Sequence, residues 1–129
     1  MPVFMAGSDI EADRVAFLKS LVSDAPYDIF LAHDIDDAEI GARNKPLYDA
    51  ISNLGAELGH RVFVPHRFVK FPGELGEMDP RDAYVLLNEG MVPQCRLFIA
   101  HLNPPSFSTG MMIGRAQLLR KEMMFFYED

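Results

Sequence analysis

The feature that most constrains the fold is a set of five short, almost wholly apolar runs that recur along the chain. They occupy residues 3–6, 29–32, 62–64, 97–100 and 123–127. Apolar runs of this length without polar alternation are typical of strands that are buried on both faces. Such strands belong to parallel sheets with helices packed on each side, so the pattern predicts an α/β fold.

The segments between these runs have helical periodicity. Apolar residues at helical spacing form two faces, one with Val15, Leu18 and Val22 and another with Leu47, Ile51, Leu54 and Leu58. Strand and helix therefore alternate, which predicts a three-layer, doubly wound parallel sheet of four to five strands, Rossmann-like or flavodoxin-like. A chain of 129 residues is expected to form a single domain over residues 1–129.

Three local signals predict where helices begin and end. Ser8 with Glu11 has the spacing of a capping box, and Asp79 before Pro80 is a cap followed by proline at the first helical position. Gly59 is expected to end the second amphipathic helix. Between helices, residues 68–79 contain two glycines and three acids, and we expect a long loop that serves as a lid or as a solvated connection.

Composition and charge exclude several classes of function. The formal net charge is −7 and no basic cluster is present, which argues against nucleic acid or an anionic membrane as a partner. No apolar run reaches the roughly 20 residues that cross a bilayer, and the N-terminus lacks the basic region of a signal peptide. The single cysteine, Cys95, favours a reducing, cytoplasmic location. No Walker loop, dinucleotide fingerprint or zinc-finger spacing occurs, so we expect no cofactor.

Four segments follow one another in order from Ile29: IFLAH, NKPLYDAISNLGAELGHRVFVPHR, CRLFIAHL and PSFSTGMMIGRA. In this order and spacing the chain resembles the nucleoside 2-deoxyribosyltransferase family and its relatives, the 2′-deoxynucleoside 5′-phosphate N-hydrolases. The resemblance implies the same α/β fold and a nucleoside-sized cleft, with residues 1–28 as an addition at the N-terminus. It also implies that IFLAH and LFIAH are adjacent central strands.

The same resemblance implies that the usual reaction is lost. In these enzymes a glutamate attacks or stabilises the sugar, and an aspartate gives a proton to the departing base. The matching positions here are Met112 and Asn88, and neither side chain can titrate or attack. A further departure follows the first strand, where Asp34, Asp36 and Asp37 would repel a phosphate.

These features lead to one expected function and two alternatives. The first is a binding or regulatory protein, a pseudoenzyme with a nucleoside-like ligand. The second is an active N-glycosidase or deoxyribosyltransferase that uses substitute acid and base groups, with Asp34 and His101 as the main candidates and Asp36 and Glu89 as others. The third is a metal-dependent activity at His33, His66 and His101, all close to predicted strand ends.

Ligand contacts are expected after the first and third strands of the resemblance, since ligands of doubly wound folds bind at strand carboxyl ends. The candidates are His33, Asp36, Ser106, Ser108, Thr109 and Gly110. Ser108 or Thr109 can instead cap the following helix. Tyr48 is expected to be half-buried on a helix surface. The apolar C-terminal residues 125–127 and the resemblance together predict a homodimer.

Overall fold

The computed structural model describes residues 12–22, 26–69 and 78–128. These residues contain one sheet of four parallel strands: β1 (Ile29–Ala32), β2 (Val62–Phe63), β3 (Leu97–His101) and β4 (Glu122–Phe126). The strand order is β2-β1-β3-β4, which confirms the parallel, doubly wound α/β fold. The apolar run at residues 3–6 and the predicted capping box at Ser8 lie outside the described residues.

Four helices flank the sheet. The described part of α1 is helical over residues 12–20, α2 spans Ala38–Glu57, α3 spans Pro80–Tyr84, and α4 spans Phe107–Leu118. Helix α3 continues without a break into a π-helical segment, Val85–Met91. In the part of the chain that is described, no helix has the length and apolar character needed to span a membrane.

Two of the three predicted helix boundaries are confirmed. The side chain of Asp79 accepts a hydrogen bond from the backbone N–H of Arg81, and Pro80 occupies the first turn of α3. Gly59 has φ +85°, a left-handed conformation that glycine adopts without the steric penalty of a Cβ atom, and it follows α2 directly.

Strands β1 and β3 form the centre of the sheet. They pair in register from Ile29 opposite Leu97 to Ala32 opposite Ala100, and β2 and β4 lie outside them. This confirms that IFLAH and LFIAH are adjacent and central. Phe30, Ala32 and Ala100 face a core shared with α1, α3, the π-helical segment and α4. Leu31 faces the opposite core, formed with α2 and β2.

The buried face of α2 agrees with the predicted one only in part, since Leu47 and Ile51 pack against the core. The buried residues are Gly41, Tyr48, Ser52 and Gly55, whereas Leu54 and Leu58 are 56% and 68% exposed. A Cβ atom at Gly55 would lie 2.5 Å from Cγ2 of Val62, so the helix approaches β2 through its small residues. This orientation of α2 directs Tyr48 into the protein, where it is 1% exposed. The prediction that Tyr48 is half-buried is therefore wrong.

Candidate functional site

A cavity of about 200 Å³ lies beyond the carboxyl ends of β1 and β3. The chain leaves β1 toward β2 on one side of the sheet, while β3 lies on the other side, so the connections diverge at this point. Doubly wound proteins bind ligands in the crevice that such a divergence creates. The described lining residues are Ile35, Asp36, Val69, Met78, Pro80, Ala83, Tyr84, Leu87, Asn88, Phe107, Ser108, Met111 and Met112.

The size and lining of the cavity favour a single heteroaromatic ring. An apolar cavity of about 150 Å³ is known to admit benzene, so the present volume holds one ring and little more. Three methionines, Met78, Met111 and Met112, provide polarisable walls that adapt to a flat ligand. Phe107 and Tyr84 line the same cavity and are 81% and 43% exposed, so they lie at its mouth.

Asn88 and Met112 line this cavity together. Met112 is completely buried on α4, and Asn88 is 5% exposed on the π-helical segment. The Nδ2 atom of Asn88 donates a hydrogen bond of 3.3 Å to the carbonyl of Tyr84. Its Oδ1 atom is buried and accepts no hydrogen bond from the described residues. A buried acceptor without a partner costs stability, so it is an unfilled site for a donor on a ligand.

The π-helical segment determines which side chains face the cavity. Such segments widen the helix by one residue per turn and occur often at functional sites. Asn88 faces inward here, whereas the next residue, Glu89, faces α4 and forms an ion pair of 2.9 Å with Arg115. Arg115 also donates to the carbonyl of Asn88 at 3.3 Å. Glu89, one of the substitute acids considered above, is therefore placed outside the cavity lining.

The four predicted ligand contacts at the start of α4 have different roles. Ser106 is the N-cap, and its Oγ accepts a hydrogen bond of 3.1 Å from the N–H of Thr109. It also donates to Oγ1 of Thr109, which is 2% exposed and directed into the protein. Gly110 is exposed, with no atom within 4 Å of an added Cβ. Of these four candidates, only Ser108 lines the cavity.

The loop after β1 brings one carboxylate to the cavity. Asp36 is the only acid among the described lining residues. Asp34 is 6% exposed and accepts a hydrogen bond of 2.8 Å from the N–H of Asp36. Burial raises the pKa of Asp34, and the nearby charges of Asp36 and Asp37 raise it further. Asp34 thus orders the loop, while Asp36 faces the cavity.

The histidines lie on the opposite face of the sheet, against α2. His33 is fully buried, and its ring stacks on Tyr48 with centroids 4.3 Å apart. Its Nδ1 donates to the carbonyl of Asp34 at 3.0 Å, and its Nε2 accepts from the N–H of His66 at 3.2 Å. Burial lowers the pKa of His33 to about 3, so the ring is neutral at physiological pH.

His101 and His66 complete this cluster. Nδ1 of His101 lies 2.7 Å from the hydroxyl of Tyr48, and its ring stacks on Phe126 at 4.7 Å. Nε2 of His66 lies 3.4 Å from Oδ1 of Asp49, close enough for an ion pair but without hydrogen-bond geometry. Burial lowers the pKa of both histidines. We call His33, Tyr48, His66, His101 and Phe126 the histidine cluster.

The histidine cluster has the arrangement of a packed core. Both ring nitrogens of His33 are engaged by backbone groups, so the ring has no lone pair to offer a metal ion. Among the described residues, no three histidine, cysteine, aspartate or glutamate side chains converge as metal ligands. His33, Asp34 and His101 are also absent from the described lining of the cavity.

Some cavity residues were missed by the sequence reasoning. Tyr84 precedes Asn88 by four residues, a spacing that places both on one helix face, so it could have been found from Asn88. Val69 and Met78 line the cavity next to the predicted loop, whose residues 70–77 lie outside the described part. Phe107 and Ile35 had no sequence signal that separated them from core residues.

Comparisons with known proteins place the fold. No protein-family model matches the chain, and no curated protein is significantly similar to it. Among solved structures, the chain is similar to the CMP N-glycosidase BcmB of Clostridium botulinum, with a TM-score of 0.57 and 22% identity. The similarity covers 77% of this chain and 70% of that one. The chain therefore shares its fold with an enzyme named for N-glycosidic chemistry on a nucleotide.

Proposed function

We propose that the protein binds a nucleoside-like ligand, with the base in the cavity at β1 and β3, and does not cleave its N-glycosidic bond. One observation carries this proposal: Met112 and Asn88 line the same cavity. These are the two positions that the family resemblance assigns to the catalytic acids. The fold shared with a CMP N-glycosidase supports a nucleoside-like ligand, and the two side chains support the loss of cleavage.

The chemistry of cleavage explains why these two side chains matter. Breaking an N-glycosidic bond requires negative charge against the sugar cation and a proton for the base, and general acid–base catalysis alone contributes about 10²–10⁴-fold. The thioether of Met112 cannot carry negative charge, and the amide of Asn88 does not act as an acid. Both can still contact a base, through dispersion and through a hydrogen bond.

A second candidate function rests on Asp36. It is a carboxylate that lines the cavity, so it could stabilise a sugar cation where the usual glutamate is absent. This candidate predicts slow base release that depends on Asp36. Asp34 and His101, the substitutes expected from the sequence, are both absent from the described lining, and Asp34 is occupied in ordering its own loop.

Base release measured by chromatography separates the two candidates. We expect no free base when the unmodified protein is incubated with deoxynucleosides or their 5′-monophosphates, while titration calorimetry detects binding. Asn88→Asp, alone and combined with Met112→Glu, restores the acids, and we expect detectable base release from the double variant. The single variant matters because a glutamate at the fully buried Met112 position carries a desolvation cost that can unfold the protein.

The outcomes are distinct. Turnover by the unmodified protein that disappears in Asp36→Asn would replace the binding proposal with the second candidate. An absence of binding for every nucleoside and nucleotide would overturn both. Glu39→Gln is the control, because it removes the same charge from the exposed first turn of α2.

A further inference from the structure

The described wall of the cavity carries negative charge and no compensating cation. Asp36 lines the cavity, and Asp34 and Asp37 flank it in the same loop. No lysine, arginine or histidine is among the described lining residues. Asp36 and Asp37 are exposed, so water weakens their field, but at low ionic strength like charges within several ångströms still repel and an anionic group near this loop is disfavoured.

The fixed polar groups of the cavity are acceptors. Oδ1 of the 5% exposed Asn88 is buried without a partner among the described residues, and the carboxylate of Asp36 accepts only. The hydroxyls of Ser108 and Tyr84, which also line the cavity, can donate or accept. A ligand with N–H groups can therefore donate hydrogen bonds to these acceptors. A ligand with a carbonyl in that place leaves the Asn88 acceptor unpaired.

The N-terminus of α4 is already satisfied in part. Helix N-termini commonly bind phosphate through free backbone N–H groups. Here the N–H of Thr109 is bonded to the Ser106 hydroxyl, and the N–H of Gly110 to the Ser106 carbonyl at 3.1 Å. Among the amides of the first turn, that of Thr109 is thus engaged by the chain itself, whereas the N–H groups of Phe107 and Ser108 make no hydrogen bond to the described residues.

From these observations we infer that the cavity selects an unphosphorylated nucleoside whose base bears an amino donor, and that it discriminates against the 5′-monophosphate. This inference rests on the proposed function and names the ligand class for the same cavity. It also separates the chain from the CMP N-glycosidase that shares its fold, because that enzyme is named for a nucleotide.

Pairs of ligands that differ only in the 5′-phosphate test whether the cavity discriminates against the monophosphate. Calorimetry is run with cytidine against CMP and deoxycytidine against dCMP, at low ionic strength. We expect each nucleoside to bind about tenfold or more tightly than its monophosphate, since about 1.4 kcal/mol of repulsion suffices for that ratio. Raising the salt from about 20 mM to about 500 mM should narrow the ratio by improving monophosphate binding, because salt screens the repulsion.

A comparison of cytidine with uridine tests whether the cavity prefers a base that bears an amino donor. The two differ at one edge of the base, where an amino group is replaced by a carbonyl. We expect cytidine to bind about tenfold more tightly, because the uridine carbonyl would leave a buried acceptor unpaired. Asn88→Leu should remove this preference. Equal affinities for the two nucleosides in the unmodified protein would overturn the inferred preference for an amino donor.

Two charge variants complete the experiment. Asp36→Asn should reduce the nucleoside-to-monophosphate ratio by about threefold or more, because it removes the charge that lines the cavity. Glu39→Gln should leave the ratio unchanged. A monophosphate that binds as tightly as its nucleoside overturns the inference and leaves the proposed function standing. If neither member of any pair binds, the proposed function and this inference fail together.

Discussion

Two regions at the carboxyl ends of β1 and β3 lie on opposite faces of the sheet and have opposite characters. The histidine cluster contains the residue types that usually perform chemistry, yet His33, Tyr48 and His101 are buried and packed ring against ring. Both ring nitrogens of His66 and Nε2 of His101 are buried without a hydrogen-bond partner among the described residues. The cavity is lined mostly by apolar side chains, yet it is open, and it holds the carboxylate of Asp36 and an acceptor without a described partner at Asn88.

The difference teaches that residue type is a weaker guide to function than whether an unpartnered polar group borders an open cavity. His33 has both ring nitrogens bonded and a pKa lowered to about 3, so it stabilises the fold and has no proton to exchange at neutral pH. Asn88 has an acceptor that costs stability and faces no described donor. The unpartnered nitrogens of His66 and His101 do not line this cavity, so Asn88 is the one unpartnered buried side chain among the described residues that faces it.

The largest expected effect on stability comes from a substitution in the histidine cluster. Tyr48→Ala removes a side chain that is 1% exposed, and we expect a loss of about 3–5 kcal/mol in the free energy of unfolding. Phe107→Ala is the matched change at the cavity mouth, where the ring is 81% exposed, and should change stability by about 0.5 kcal/mol or less while weakening nucleoside binding. Denaturant unfolding checks both; equal losses would contradict the contrast.

The second effect is acid sensitivity of the histidine cluster. The folded-state pKa of His33 is about 3, below the value of about 6.5 in an unfolded chain, so the unfolded state binds more protons between these limits. Its contribution to stability is complete above about pH 6.5 and is lost as the pH falls toward 3, at about 1.4 kcal/mol per pH unit. His66 and His101, with lowered pKa values, act in the same direction.

Unfolding curves between about pH 7 and pH 5 measure this slope most cleanly, because the raised pKa of Asp34 opposes it at lower pH. His33→Gln should reduce the slope of stability against pH by the amount that corresponds to about one bound proton. His60→Gln removes an exposed histidine that pairs with Asp28 at 2.6 Å, and it should change the slope less than His33→Gln does. Stability that does not change over this range would show that the histidine cluster is not sealed from water.

The third effect concerns the unpaired acceptor of Asn88 in the cavity. Asn88→Leu replaces an unpaired buried acceptor with an apolar side chain of similar size, and we expect stability to rise by about 1 kcal/mol while the preference for cytidine over uridine is lost. Gln94→Met is the matched control, because Gln94 Oε1 accepts a hydrogen bond of 2.8 Å from the N–H of Tyr27. It should destabilise the protein by about 1 kcal/mol. A destabilised Asn88→Leu variant would mean that Oδ1 is satisfied in the fold.

The smallest effect on stability concerns self-association. Strand β4 is at the edge of the described sheet, and Met124, Phe125 and Tyr127 are 54%, 47% and 68% exposed. An exposed apolar edge strand is prone to pair with another copy, so we predict a dimer through β4. Met124→Lys should change monomer stability by about 0.5 kcal/mol or less and shift the assembly toward monomer in light scattering. A monomeric unmodified protein at micromolar concentration would refute the dimer.

The fold was largely predictable, because burial on both faces of a strand appears directly as an apolar run. Ile29–Ala32 and Leu97–His101 are central for this reason. Cap and stop signals also act locally, as Asp79 and Gly59 show. The face of α2 was predictable only in part, because it also depends on the close approach of Gly55 to β2.

The site was predictable only in part. Met112, Asn88, Asp36 and Ser108 were identified from the resemblance and from strand ends, and the structure brings them to one cavity. The π-helical segment that turns Asn88 inward has no sequence signature, because one extra residue per turn leaves local propensities unchanged. The histidines were placed correctly at strand ends, but the face on which they lie depends on the tertiary packing of α2.

The central claim is that the cavity holds a nucleoside without breaking it. Ligand-observed proton NMR of cytidine with the unmodified protein tests both parts in one measurement. Saturation transferred to the base protons reports binding, and the intensity of the anomeric proton reports the N-glycosidic bond. We predict saturation transfer with an anomeric signal that stays constant over hours. Replacement of that signal by those of free cytosine and free sugar, or an absence of saturation transfer, would contradict the account.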